Sequence, residues 1–221
     1  MTVEKIISFI KQKPDLMFAF MLAFFVYCIF AFTNDYFMTH RTSFAIMERF
    51  AVLGLVGLAL TLCIIAGEID LSIGSNAALA AVIVVRFTDS LGAPTALLIA
   101  VTVSTIIGLI QGYFIAYLRI RAIVLTVGTL MLLRGISLFV AEEKTVMLTD
   151  FRIPDFISTK VLWYFSPASL TVIAMFVLVA LFMNFTKYGR EIYAIGGARK
   201  EALAAGISLK RPMIIVFAIS G

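Results

Sequence analysis

Residues 50–76 read FAVLGLVGLALTLCIIAGEIDLSIGSN. The first 17 of them, Phe50–Ala66, carry no charge, and the ten that follow contain two carboxylates, Glu68 and Asp70, and two glycines. A helix needs roughly 17–25 apolar residues to cross the hydrocarbon core of a bilayer. The run is therefore long enough for a membrane span, and a short polar break follows it.

The composition of the whole chain also indicates that it lies in a lipid bilayer. Of its 221 residues, 62% are hydrophobic and 14% are charged, whereas soluble domains usually have about 45–50% apolar and about 25% charged residues. One His and two Cys, Cys28 and Cys63, exclude a His/Cys metal cluster and a disulfide framework. The net charge of +5 does not predict nucleic-acid binding, because the basic residues form no continuous arm with interleaved aromatics.

Six runs without charge, or with one, predict six membrane spans, and a further run begins near residue 212. The six are Leu16–Phe32, Phe50–Ala66, Leu71–Val85, Ser90–Leu118, Ala122–Ala141 and Val161–Thr186, and Pro212–Gly221 starts the next. Only the fifth is interrupted, by Arg134. We therefore predict an all-α fold, a polytopic bundle of about six transmembrane helices and the start of a seventh, in a single domain over residues 1–221.

Lys and Arg are unevenly divided between the two sides of this bundle. If the N-terminus is cytoplasmic and each run crosses once, the inner segments (1–15, 67–70, 119–121 and 187–211) carry 11 of them and the outer segments six. Short cytoplasmic loops carry an excess of Lys and Arg in membrane proteins. The distribution therefore predicts a cytoplasmic N-terminus.

The polar break after Phe50–Ala66 allows two interpretations. It can be a tight cytoplasmic turn, in which Asp70 or Ser72 caps the third helix and the carboxylates are hydrated. It can also be a broken helix pair partly within the membrane, which is tolerated where protein buries it or where it lines a wet cavity. The third run has only 15 residues, which favours the second interpretation. The polar side chains that would then lie near a substrate pathway are Asp70, Ser72, Ser75 and Asn76.

Two other polar residues lie inside predicted spans. Arg134 is about 12 residues into the fifth run, and because intramembrane charge is costly it predicts either a place in a substrate pathway or a buried ion pair or carbonyl clamp. Gln111 belongs to a small-xxx-small pattern, Gly108–Gly112, which predicts close helix packing. Its amide can donate to a neighbouring helix or to a polar ligand in the pathway.

The segment Lys187–Arg211 is predicted on the inner side. Its Ala-rich part, Ala198–Ile207, predicts a helix of about two turns, with Gly206 after its end in the left-handed conformation. A helix this short is marginal alone. Either a partner holds it, with Leu203 and Ile207 in a groove, or it lies on the membrane surface with its basic residues on anionic headgroups.

Three ordered blocks of the sequence resemble the permeases of monosaccharide-type ABC importers, the ribose/galactose/autoinducer-2 group. Leu58–Ser75, Gly108–Gly135 and Tyr188–Gly206 are similar to patterns close to GMTxVIxxGGIDLSVGS, GxxNG…LxIPPFIVTLGT…RG and FGRxxYAIGGN…AAxxSGI. This chain departs from the patterns at a few positions. They are Glu68 for Gly, Gln111 for Asn, Arg121 and Ala122 for Pro-Pro, and Ala198 for Asn.

The resemblance implies the transmembrane channel subunit of an ATP-driven importer, which moves a monosaccharide or similar small polyol across the bacterial inner membrane. It implies that the chain is a permease and not an enzyme, that it binds no cofactor, and that cytoplasmic ATP-binding subunits use the ATP. The sequence contains no G-x-x-x-x-G-K-[ST] phosphate loop. A periplasmic sugar-binding protein, a second permease copy or a sister permease, and membrane lipid are the other implied partners.

The resemblance also makes residues 187–211 a cytoplasmic coupling loop, whose short helix would sit on the ATP-binding subunit. The implied contact residues are Glu201, Ala202, Leu203, Ala205, Gly206 and Ile207. Chains of the family are longer, so the sequence is expected to be a C-terminally truncated one. Two other functions stay open: an ion-coupled secondary transporter with Glu68, Asp70 and Arg134 as coupling charges, and a non-transporting remnant or regulatory membrane subunit.

Overall fold

The computed structural model describes residues 14–144, 147, 152–161 and 163–221. Over these residues the chain forms ten helices and no strand, and one isolated β-bridge joins Val161 to Phe165. In chain order the helices are α1 (Pro14–Thr33), α2 (His40–Ile65), α3 (Ile73–Leu91), α4 (Ala93–Leu118), α5 (Ala122–Val140), α6 (Arg152–Ile157), α7 (Pro167–Phe185), α8 (Lys187–Gly197), α9 (Arg199–Ala204) and α10 (Lys210–Ser220). The predicted all-α class is confirmed for the described part of the chain.

Four of the described helices, α2, α4, α5 and α7, are long and apolar enough to cross a bilayer. They have 19 to 26 residues, and only 17–22% of the residues in their most apolar stretches are buried within the chain. Large exposed apolar surfaces are rare on soluble proteins, whereas lipid-facing helices require them. The chain is therefore a multi-pass helical membrane protein.

The other two predicted spans are also helical, and two helix starts differ from the predicted ones. Helix α1 covers the first apolar run and α3 covers the third. Helix α2 begins ten residues before its apolar run, because the Thr39 hydroxyl accepts the Thr42 N–H and caps it there. Helix α7 begins at Pro167, six residues into its apolar run, where proline is favoured and where Ser166 and Ser169 form a capping box around the first turn.

Helix α4 lies at the centre of the bundle. It packs against α3 on one side and α10 on another, while α3 also packs against α5, and α2 against α7. A Cβ atom on Gly108 would overlap the carbonyl oxygen of Phe217 in α10, and one on Gly112 would lie 2.8 Å from the Cα of Ile214. The close helix packing predicted from the small-xxx-small pattern is thus confirmed.

The described connections between the helices lie at two opposite ends of the bundle. At one end, which we call the Glu68 end, the α2–α3 connection meets α8 and α9. At the opposite end Arg86 pairs with Glu142, and the His40 ring lies 5.6 Å from the Trp163 ring. Residues 1–13, which carry part of the charge asymmetry, lie outside the described residues.

Two short helices follow α7 at the Glu68 end. Helix α8 was not predicted, although three of its buried residues, Gly189, Ile192 and Ile195, recur at the spacing of one helical face. Helix α9 has six residues, close to the predicted two turns. Its end is as predicted: Gly206 has φ +81°, and the Ile207 N–H donates to the Ala202 carbonyl at 2.9 Å.

Candidate functional site

A buried group of polar side chains connects the α2–α3 segment to α4 and α10. The Asp70 Oδ1 atom accepts hydrogen bonds from the Ser72 N–H at 2.8 Å and from the Ser72 hydroxyl at 2.7 Å. The Gln111 amide donates to the Ser72 Oγ at 2.8 Å, and the Ser220 hydroxyl donates to the Asp70 Oδ2 at 3.4 Å. We call these four residues, Asp70, Ser72, Gln111 and Ser220, the polar cluster.

Asp70 is compensated by hydrogen bonds rather than by a positive charge. Its residue is only 4% exposed, and among the described residues no basic side chain forms an ion pair with it. A buried carboxylate is costly unless it is paired or hydrogen-bonded, and three donors reach this one. The interpretation in which Asp70 is hydrated in a cytoplasmic turn is therefore wrong.

The predicted capping of α3 by Asp70 or Ser72 is also wrong. Ser72 occupies the N-cap position but makes no side-chain capping bond, because its hydroxyl bonds to Asp70 and Gln111 instead. Asp70 accepts the N–H of Ser72 rather than one from the first turn of α3. The segment between α2 and α3 is irregular backbone held by protein contacts, which is the condition under which such backbone is tolerated within a membrane.

The remaining polar residues of the break lie beside this cluster. The Asn76 side-chain amide donates to the Gly221 carbonyl at 3.2 Å, and its Oδ1 atom is buried without a hydrogen-bond partner in the described part of the chain. Ser75 is half-buried and makes no side-chain hydrogen bond to a described residue. Asn76 and Ser220 also line a cavity of about 640 Å³ whose other walls are mainly apolar.

Arg134 is not brought to this cluster. Its side chain is exposed on α5, and no hydrogen bond or ion pair joins it to any described residue. Among the described residues, Arg134 therefore has neither the buried ion pair nor the carbonyl clamp that one of the two interpretations predicted. Its neighbour Leu133 is the residue that turns inward, packing with Leu79 and Ile83 of α3.

Helix α9 is tied to the same segment that carries Asp70. The Arg199 guanidinium donates to the Glu68 carboxylate at 2.7 Å, with side-chain exposures of 44% and 15%. A Cβ atom on Gly196, at the end of α8, would overlap the Ile65 carbonyl oxygen at the end of α2, so the two backbones touch. The ion pair and this contact hold α9 against the α2–α3 segment. Its point of attachment, Glu68, lies two residues before Asp70 of the polar cluster.

The predicted contact residues of α9 divide into two groups. Ala202 is buried and Ile207 packs against the core of the chain itself. The side chain of Leu203, by contrast, is 51% exposed. The other exposed members are Glu201, Ala205 and Gly206. Ile207 thus already packs partly against its own chain, and the contact of Leu203 and Ile207 with a partner stays a prediction.

Sequence reasoning missed two participants. Ser220 lies 150 residues from Asp70 in the chain, as a single polar residue in an apolar run, and no local pattern distinguishes it. Thr126 of α5 is fully buried, and its hydroxyl lies 3.4 Å from the Ile69 carbonyl beside the polar cluster. Thr126 is one of several polar residues in this mainly apolar span, so the sequence does not single it out.

The chain is similar in sequence to several sugar transport permeases. The D-allose transport system permease protein of Escherichia coli is 28% identical over 204 residues, which are 91% of this chain and 62% of that protein. The L-arabinose transport system permease protein of Escherichia coli is 30% identical over 172 residues, 76% of this chain and 51% of the relative. The fructose import permease protein of Rhizobium meliloti is 26% identical over 232 residues, 99% and 63% of the two chains.

The chain thus spans between about half and two thirds of the length of these curated relatives. No solved structure matches it. The family model described as the branched-chain amino acid transport system / permease component matches residues 42–221, which include every helix from α3 to α10 and nearly all of α2. The chain therefore belongs to the branched-chain amino acid transport system / permease component family.

Proposed function

We propose that this chain forms membrane-spanning structure of an ATP-driven importer that moves a monosaccharide or similar small polyol across the bacterial inner membrane. Its family and its relatives, which are named as permeases for D-allose, L-arabinose and fructose, support this proposal. The observation that carries it is the connection between α9, a short exposed helix, and the buried polar cluster through the Glu68–Arg199 ion pair. A permease driven by a separate ATP-binding subunit requires a connection between the surface that contacts this subunit and the interior of the bundle.

The proposed arrangement in the membrane has six spans, the start of a seventh in α10, and a cytoplasmic N-terminus. It is supported by the excess of Lys and Arg in the segments of the Glu68 end. In this orientation residues 187–211 form a cytoplasmic coupling loop. The opposite end, with its tilted stack of His40 and Tyr164 5.1 Å apart, faces the periplasm and the sugar-binding protein.

Helix α9 is the proposed contact with an ATP-binding subunit. Ala202 and Ile207 fix the helix to its own chain, and the accessible surface left for a partner consists of Glu201, Leu203, Ala205 and Gly206. A docking helix needs both an anchored side and an accessible side. In this proposal ATP is bound and hydrolysed by the partner, and the chain binds no cofactor.

The exposed face of α5 is the proposed contact with a second permease copy or a sister permease. Arg134 lies well inside a span that is long enough to cross the bilayer, and a charge facing lipid at this depth is costly. A second subunit, or a water-filled pathway between two subunits, would compensate it. Together with Arg134, the residues proposed for the pathway are Asp70, Ser72, Ser75, Asn76 and Gln111.

Uptake of labelled sugar tests the proposal. The complete permease is reconstituted with its ATP-binding and sugar-binding subunits in proteoliposomes, and uptake of D-allose, L-arabinose and fructose is measured with and without ATP. We expect ATP-dependent uptake of at least one of these sugars. Equal uptake without the ATP-binding subunit would contradict the proposal.

The ion-coupled alternative is tested in the same vesicles. It needs Glu68, Asp70 and Arg134 as coupling charges, but Glu68 is already engaged by Arg199 and Asp70 by three hydrogen-bond donors. The alternative predicts sugar uptake driven by a proton or sodium gradient in the absence of ATP, and loss of that uptake in Asp70→Asn. We expect no gradient-driven uptake in the original protein or in Asp70→Asn.

A further inference from the structure

A cavity of about 840 Å³ opens at the Glu68 end between α4, α5, α9 and α10. Its charged lining consists of Glu68, Arg119, Arg121, Arg199 and Lys210. We call it the basic cavity, since four of these five side chains are cations. Its other walls include the apolar side chains of Ile115, Leu203 and Met213.

The positive charge of the basic cavity is only partly compensated. Arg199 is paired with Glu68, and the Lys210 ammonium lies 4.3 Å from the centroid of the Tyr117 ring. Arg119 and Arg121 have no acidic partner among the described residues. The side chains that line the cavity therefore carry a net charge of three positive units.

The two free arginines lie where apolar helices end. Arg119 follows Leu118, the last residue of α4, and Arg121 precedes Ala122, the first residue of α5. Both helices are long and apolar enough to cross a bilayer. Arg119 also adopts a left-handed conformation with φ 56°, which costs free energy for a residue with a side chain. The turn thus places two guanidinium groups at the ends of two apolar helices. In the membrane arrangement proposed above, this is the level of the lipid headgroups.

We propose that the basic cavity binds the phosphate of an anionic lipid headgroup. Guanidinium groups match phosphate oxygens with paired N–H donors, and basic pockets between transmembrane helices are known to take anionic headgroups. The apolar wall formed by Ile115 and Met213 suits the adjoining part of the lipid. This site is separate from the polar cluster, and it depends neither on transport nor on which face of the membrane is cytoplasmic.

Binding is measured on the complete, delipidated protein in detergent by native mass spectrometry. The protein is titrated with phosphatidylglycerol, with phosphatidylcholine and with inorganic phosphate. We expect phosphatidylglycerol to bind at least about ten-fold more tightly than phosphatidylcholine, because only the former carries a net negative charge. Equal affinity for the two lipids would overturn the proposal. Competition by inorganic phosphate would support the same anion site with a soluble source of phosphate.

The double variant Arg119→Gln/Arg121→Gln assigns the binding to the cavity. We expect it to bind phosphatidylglycerol about ten-fold more weakly, since each basic residue near a headgroup contributes to the attraction. The matched control is Arg190→Gln/Lys200→Gln, which removes two exposed cations that do not line the cavity. A loss of the same size in the control would mean non-specific attraction and would overturn the proposal.

Two further measurements keep the result decisive. If the double Gln variant does not fold, as judged by gel filtration, Lys210→Gln is used instead. The affinity of this variant for phosphatidylglycerol should be about three-fold lower than that of the original protein, and an unchanged affinity overturns the proposal.

Capture of an ATP-binding subunit is measured in parallel without lipid. If the arginine variant loses that capture but keeps its affinity for phosphatidylglycerol, the cavity is a protein-docking surface and the proposal is wrong.

Discussion

Asp70 and Arg134 are both charged residues associated with apolar helices, but the chain treats them differently. Asp70 is 4% exposed and accepts three hydrogen bonds. Arg134 is exposed on α5 and has no hydrogen bond or ion pair with a described residue. Asp70 is compensated by contacts inside the chain, whereas no described residue compensates Arg134. The comparison separates a charged group that helps to hold this bundle together from one that does not.

Removal of the carboxylate should have the largest effect on stability. Asp70→Leu leaves the Ser72 N–H and the Ser72 hydroxyl without their acceptor in a buried site, whereas the Ser220 hydroxyl keeps the Phe217 carbonyl oxygen as an acceptor at 3.1 Å. Each buried donor left unpaired costs about 1–3 kcal/mol, so we expect the free energy of unfolding to fall by about 3 kcal/mol. Detergent denaturation of the purified protein, followed by circular dichroism, measures this change.

The matched control is Asp70→Asn, which keeps an oxygen acceptor for Ser72 and lets Ser220 accept a bond from the new amide. We expect it to cost less than about 1 kcal/mol. If Asp70→Leu were as stable as the original protein, the carboxylate would not organise the polar cluster, and Asp70 would resemble Arg134.

The next largest effect should come from separating α10 from α4. In Gly108→Ala the new methyl group overlaps the Phe217 carbonyl oxygen, and because backbone cannot move aside like a side chain, α10 must shift and carry Ser220 away from Asp70. Overpacking of this kind typically costs about 1–3 kcal/mol. The same denaturation assay measures it.

Gly128→Ala is the control for this substitution. It makes the same chemical change in α5, where nothing lies within 4 Å of the added Cβ, and alanine favours a helix over glycine by about 1 kcal/mol. We expect Gly128→Ala to be neutral or stabilising. Equal destabilisation by the two variants would mean that close packing of α4 on α10 does not maintain the polar cluster.

The sequence predicted those features that depend on local pattern. Uncharged runs predicted the helices, because crossing a bilayer needs about 20 apolar residues wherever they occur. The left-handed Gly206 followed from the end of an Ala-rich run, and the packing of Gly108 and Gly112 followed from their spacing. Each of these rests on neighbours within a few residues.

The partners of the charged groups could not be predicted in this way. Ser220 and Asp70 are 150 residues apart, and Arg199 and Glu68 are 131 apart, so their contacts depend on the packing of whole helices. The exposure of Arg134 depends on which face of α5 turns inward. Apart from Arg134, most residues of that helix are apolar, and a helix without a clear amphipathic pattern does not reveal its buried face.

Loss of the ion pair at the Glu68 end should have a small and local effect. Partly exposed ion pairs contribute at most about 1 kcal/mol, so Glu68→Gln should barely change global unfolding. It should, however, accelerate hydrogen exchange of the α9 amides, because Arg199 no longer holds that helix to the α2–α3 segment. Hydrogen exchange read by mass spectrometry over residues 198–206 measures this.

The control for the ion pair is Lys187→Gln, which breaks the pair of Lys187 and Glu191 within α8. That pair joins two residues of one helix, so its loss should leave exchange in α9 unchanged. The double variant Glu68→Arg/Arg199→Glu reverses the charges and should slow exchange again. If it failed to do so while both single variants exchanged faster, the effect would come from packing rather than from the ion pair.

Arg134→Leu should have the smallest effect on the isolated chain and so gives the sharpest contrast with Asp70→Leu. No described hydrogen bond or ion pair is lost, and we expect the melting midpoint of the single subunit in detergent to stay unchanged. In the assembled importer the same substitution should reduce sugar uptake, because the charge is proposed to face a second subunit or the pathway. Arg134→Lys, which keeps the charge, should retain more uptake. A fall in the midpoint as large as that of Asp70→Leu would place the partner of Arg134 inside the chain, and the distinction between the two charges would be lost.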